Sequence, residues 1–140
     1  MTTSISHSMP MVVIVIALAL LQFIGFGAAV SWARSRYKVA APATTGNEVF
    51  ERYFRVQMNT VEQLLVFIPA IWLFASLVSA MWAAVLGAIY LVGRLVYFLS
   101  YVKNPRSRSL GFAMSSLPGI VMLLGVLVVT IARLLPPTSP

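Results

Sequence analysis

LLVFIPAIWLFASLV runs from Leu64 to Val78, a single Ser79 follows, and AMWAAVLGAIYLVGRLVYFLSY then continues from Ala80 to Tyr101. Crossing a hydrocarbon core takes roughly 20 predominantly apolar residues in a helix. Both runs reach that length once the first is extended back to about residue 49. With one residue between them, the two helices must fold back on each other as an antiparallel hairpin. Working outward, Pro10 to Ala33 supplies an earlier apolar run, with Pro10 suited to a first helical turn. A last run extends from about Leu110 to Leu135, where Pro118 is expected to introduce a kink. The chain therefore reads as an all-α membrane protein, a four-transmembrane-helix bundle with spans over about 10–33, 49–78, 80–101 and 110–135, forming a single domain over residues 1–140.

The composition agrees with lipid as the main solvent. Of 140 residues, 60% are hydrophobic and 9% charged, far from the balance of a water-soluble domain. Ten basic residues oppose three acidic ones, a net charge of +7. That excess lies mostly in the segments between spans, which excludes the basic stripe of a nucleic-acid binder. The loops over 34–47 and 102–109 fall on one side of a four-span topology and are rich in Arg and Lys. The positive-inside rule makes that side cytoplasmic and puts both termini on the opposite side. The first run is too long, and its N-terminal flank too poor in basic residues, for a cleaved signal peptide, so its retention is expected. The Pro136 to Pro140 tail reads as structureless. Trp32, Trp72 and Trp82 read as interfacial anchors or packing residues. The chain has no cysteine and one histidine, His7, in what reads as a solvated N-terminal tail. A metal site is not expected, and sulfur chemistry would have to use a thiol carried by the substrate.

Charge inside a span is expensive, about 3 kcal/mol even on lenient insertion scales, so each such residue is a candidate for function. Arg55, Asn59 and Glu62 are spaced i, i+4, i+7 and share one stripe of the second helix. Arg94, Tyr97 and Tyr101 form a similar stripe on the third. The antiparallel hairpin brings the start of the second helix beside the end of the third and the loop bearing Arg108. One interpretation is purely structural: Glu62 and Arg94 neutralise each other, and Asn59 adds an interhelical hydrogen bond. Against it, Arg55, Arg94, Arg108 and nearby Arg52 outnumber the one deep carboxylate, leaving room for an anion that arginine forks and tyrosine hydroxyls would orient. Arg34, Arg36, Lys38, Lys103 and Arg106 read as topology determinants and contacts to membrane lipids.

The run FERYFRVQMNTVEQLLVF (Phe50 to Phe67) and the run YLVGRLVYFLSYVKNPRSRS (Tyr90 to Ser109) resemble two separated signatures of the MAPEG superfamily, the membrane-associated proteins in eicosanoid and glutathione metabolism. The resemblance implies a homotrimer with glutathione held between subunits, and glutathione as co-substrate. It implies binding roles for Arg55, Gln57, Asn59, Glu62, Arg94, Tyr97 and Tyr101. Arg108 matches an arginine that stabilises the glutathione thiolate, the catalytic role in this family. Gln63 and Leu65 depart from the pattern, which often has Tyr and Pro there. The implied activity is that of a transferase or peroxidase acting on a lipophilic second substrate from the bilayer. Two alternatives stay open at this point: a non-catalytic lipid or glutathione binder of the same fold, and a small proton-coupled exporter using Glu62 as relay.

Overall fold

The computed structural model describes residues 2–135, with side chains from residue 8 onward. The 136–140 tail and the His7 side chain lie outside the described residues. Four long helices follow in order: α1 (Thr2–Arg36), α2 (Glu48–Leu77), α3 (Ala80–Lys103) and α4 (Ser109–Leu134), with a 3₁₀ turn over Pro105–Ser107 before α4. Each of the four contains a segment long and apolar enough to cross a membrane. The expected four-span all-α architecture is thus present.

The main departure is at the N-terminus, where α1 starts at Thr2 rather than at Pro10, so the expected tail is helical backbone. Proline removes one backbone hydrogen bond, and a membrane helix absorbs that loss. Pro69 and Pro118 likewise lie within unbroken helices.

Local chemistry sets the helix ends. Asn47 caps α2, its Oδ1 accepting from Val49 N and Phe50 N, both at 3.0 Å, which satisfies two of the donors every helix start leaves open. Ser79 caps α3 in the same way through Trp82 N, so the α2–α3 connection needs only Val78 and Ser79. The 34–47 connection is pinned by Arg34, whose Nη1 donates to Ala43 O at 2.7 Å and Val39 O at 3.3 Å while its guanidinium lies 4.7 Å from the Phe50 ring centroid. Arg34 therefore does structural work beyond the topological role its position suggested. Both basic connections lie on one side: Arg52 of α2 donates to Val102 O and Lys103 O at the end of α3.

α2 and α3 each pack on all three other helices. The main core joins Val12, Val15 and Ala19 of α1 to Phe67, Ile71 and Phe74 of α2, Tyr90 of α3 and Met122 of α4. Phe67 and Tyr90 stack at 3.7 Å between centroids. Apolar side chains such as Leu18, Ile24, Leu65, Leu99 and Leu127 point outward, as do the three tryptophans, the surface expected of helices solvated by lipid. Because lipid is as apolar as a leucine side chain, burial contributes little to helix association there; close packing has to supply it. Two glycines provide it where α3 meets α4. A Cβ on Gly93 would stand 2.6 Å from Met114 Cβ and 2.8 Å from Ser115 N, and one on Gly111 would collide with the Tyr97 backbone.

The contact at Gly111 is with backbone, which cannot swing aside. Gly111→Val is expected to destabilise the bundle by about 1–3 kcal/mol, the usual cost of overpacking, and to lower the apparent unfolding temperature in detergent. Gly25→Ala, where a Cβ meets nothing within 4 Å, should leave that temperature unchanged or slightly raised. Equal behaviour of the two variants would refute close α3–α4 packing.

Candidate functional site

α3 carries Arg94 nine residues before Lys103, about 14 Å along the helix axis from its end, well within a hydrocarbon core about 30 Å thick. The residue is 0% exposed. Its Nη1 donates to Asn59 Oδ1 at 3.0 Å and, at 3.4 Å, to Ser115 Oγ; its Nη2 donates to Thr60 Oγ1 at 2.7 Å. Its Cζ sits 4.4 Å from the centroid of the Tyr97 ring. Three helices therefore converge on one guanidinium.

The two hydroxyls suit this task for a reason visible in their other bonds. Thr60 donates to Val56 O at 2.7 Å and Ser115 to Gly111 O at 2.6 Å, each one turn back along its own helix. A hydroxyl has one proton. With that proton committed to a carbonyl, each oxygen presents lone pairs to the cation. Thr60 and Ser115 were not singled out from the sequence. The available signal was a hydroxyl next to Asn59 in one span and a serine in another, and small hydroxyl residues in spans are common as packing spacers.

Glu62 is not the direct partner of Arg94. Its Oε2 accepts from Asn59 Nδ2 at 3.2 Å, and its Oε1 lies 3.6 Å from Arg55 Nη1. The polar groups thus form a chain, Arg94 to Asn59 to Glu62 to Arg55, running from a sealed interior to a half-exposed end where the Arg55 and Glu62 side chains are 54% and 53% exposed. The stripe expected on α2 is present, while the direct Glu62–Arg94 neutralisation is absent.

On α3, Tyr97 and Tyr101 stack at 5.3 Å between centroids, so the second stripe also holds together. Arg108 sits at the N-cap of α4, its side chain exposed and not used for capping. Arg55 and Tyr101 line a cleft of about 460 Å³ with Thr45, Glu48 and Pro105, open toward the basic connections.

Two expected residues are engaged elsewhere. Arg52 is bound to Glu48 at 2.7 Å and to the two carbonyls at the end of α3, so it is not available to balance a ligand. Gln57 lies on the opposite side of α2, its amide against Gly27 of α1. Among the described residues, no group of three or more His, Cys, Asp or Glu could hold a metal ion.

Comparison with known proteins places the chain in a family. A MAPEG family profile matches residues 11–128. The uncharacterized protein sll1147 of Synechocystis is 44% identical over 114 residues, covering 81% of this chain and 83% of its own. Human microsomal glutathione S-transferase 2 is 40% identical over 102 residues, covering 73% of this chain and 68% of its own. Bovine leukotriene C4 synthase is 36% identical over 76 residues, covering 54% of this chain and 51% of its own. The chain belongs to the MAPEG family.

Proposed function

We propose that this protein is a membrane-bound, glutathione-dependent transferase or peroxidase. The observation that carries this reading is uncompensated positive charge. Arg94 has no carboxylate partner among the described residues, Glu62 is shared between Asn59 and Arg55, and Arg108 stands exposed at the start of α4. Glutathione suits such a site because it carries two carboxylates, one ammonium and a thiol, one net negative charge at neutral pH. Arg55 would take a carboxylate through its guanidinium fork. Glu62 would take the ammonium, and Tyr101 would line the cleft beside the peptide. The similarity to microsomal glutathione S-transferase 2 and leukotriene C4 synthase supports the same ligand.

Arg108 is the catalytic residue in this proposal. A free thiol has a pKa of about 8.5, and an adjacent guanidinium stabilises the thiolate and raises its fraction at neutral pH. The start of α4, where backbone N–H groups lack helical partners, adds to that field. The thiolate sulfur then attacks an electrophilic carbon of a lipophilic substrate, forming a C–S bond as the leaving group takes the electron pair. With a hydroperoxide, the sulfur attacks the terminal oxygen, the O–O bond breaks, the alkoxide takes a proton and leaves as an alcohol, and the sulfur is left as a sulfenic acid; the thiol of a second glutathione then displaces its oxygen as water and forms the disulfide.

Gln57 faces away from Arg55, Asn59 and Glu62, so both sets cannot line one pocket within a single subunit. A homotrimer with the ligand between subunits would use both faces of α2 at once. Eight of the ten basic residues, all but Arg94 and Arg133, lie toward the side of the two basic connections, and we assign that side to the cytoplasm.

Mixing purified protein with glutathione should raise thiolate ultraviolet absorbance near neutral pH, and Arg108→Ala should abolish the rise while leaving glutathione bound. Binding without thiolate in the wild type would instead favour a non-catalytic binder. Separately, Glu62→Gln should weaken glutathione binding on the order of tenfold, the size of one lost charge-assisted hydrogen bond. Unchanged affinity, measured by calorimetry, would refute ammonium capture at Glu62; proton-coupled transport lost in Glu62→Gln but kept in Arg108→Ala would refute the enzyme altogether.

A further inference from the structure

The geometry points to Arg94 as a positioning residue for the ammonium end of glutathione: without touching the ligand, it fixes the Asn59 amide and, through it, the Glu62 carboxylate. This inference rests on the glutathione reading proposed above and adds to it how the receiving carboxylate is held.

A guanidinium can only donate and a carboxylate can only accept. Asn59 lies between the two, 3.0 Å from Arg94 Nη1 through its oxygen and 3.2 Å from Glu62 Oε2 through its nitrogen. Turning the amide over would set NH₂ against guanidinium and oxygen against carboxylate, so its orientation is dictated from both ends. Arg94 is the fixed end. It is fully buried, held by Thr60 of α2 and Ser115 of α4, and stacked on Tyr97 of its own helix. Glu62 is the adjustable end, half exposed and therefore free to explore rotamers unless tethered. Asn59 carries the order of the first to the second. Arg55 alone, 3.6 Å from Oε1 and itself half exposed, is a loose restraint. A Glu62 already held in its receiving geometry loses less freedom on binding, which is the ordinary source of affinity by preorganisation.

A staple that merely held α2, α3 and α4 together would make different demands. Its loss would weaken the binding of every ligand alike, whereas loss of a positioning group acts only on the part of the ligand that Glu62 receives. Calorimetric titration with glutathione and with its desamino analogue, which lacks the ammonium, separates the two. Wild type should prefer glutathione. Arg94→Met should weaken glutathione binding on the order of tenfold while leaving the analogue within about twofold. Arg94→Lys should not restore the preference, because a point charge on a flexible stem cannot serve Asn59 and Thr60 with a rigid fork. Thr60→Val keeps every charge and should reduce the preference in the same direction by a smaller factor.

Equal losses for the two ligands, or full recovery in Arg94→Lys, would overturn the inference. If the Arg94 variants do not purify as folded protein, Thr60→Val decides: a selective loss supports the inference, and no loss or an equal loss overturns it. A wild type that binds no glutathione removes the proposed function and this inference with it. A wild type that binds glutathione but shows no ligand selectivity in its Arg94 and Thr60 variants removes only this one.

Discussion

A guanidinium sealed among apolar helices must be solvated by something, and in this bundle the solvent is three neutral oxygens and an aromatic face. Placing arginine at mid-span costs about 3 kcal/mol on insertion scales. Hydrogen bonds to a charged group return about 1.5–3 kcal/mol each, and a desolvated cation over a ring returns up to about 2 kcal/mol. Bonds to Asn59, Thr60 and Ser115 together with the Tyr97 ring oppose that cost. They do not cancel its charge. A carboxylate in contact would have done so.

The same contact organises the bundle around it. Arg94 reaches Thr60 and Ser115 only because α2, α3 and α4 come close at that level, and the α3–α4 approach depends on Gly93 and Gly111, where any Cβ would meet backbone or the base of a side chain. Gly93 directly precedes Arg94, and the Gly111 carbonyl accepts the Ser115 hydroxyl. Packing and polar chemistry thus share residues. Loosening one helix pair would separate the acceptors from the cation, so the requirement to solvate a buried charge sets the spacing of three helices.

Much of this was legible in the sequence because its strongest signals are one-dimensional. The apolar runs gave the four helices, since backbone in lipid must satisfy its own hydrogen bonds. The i, i+4, i+7 stripe of Arg55, Asn59 and Glu62 emerged as a connected polar face, and the Arg94, Tyr97, Tyr101 stripe as a stacked one. What escaped was whatever depends on distance between helices. The partner of Glu62 is Arg55 within α2 rather than Arg94 across the bundle, a choice that spacing along one helix cannot make. Thr60 and Ser115 are ordinary hydroxyl residues until a guanidinium is placed against them. Arg52 counted as free cation until the end of α3 arrived beside it, and the start of α1 at Thr2 was hidden by polar residues and a proline that one-dimensional rules assign to a boundary.

Asn59 explains why the site is built as a chain rather than a pair. A buried arginine and glutamate in direct contact form a closed unit, each satisfying the other. With an amide between them, joined by hydrogen bonds of 3.0 and 3.2 Å, the two charged groups are oriented by each other without touching. The amide suits this position because it offers an acceptor on one side and donors on the other. Aspartate would neutralise Arg94 and repel Glu62, and leucine would take one partner from each end. One uncharged residue thus lets a bundle hold a buried cation and a carboxylate near enough to be arranged together while leaving the half-exposed carboxylate able to receive a charged guest.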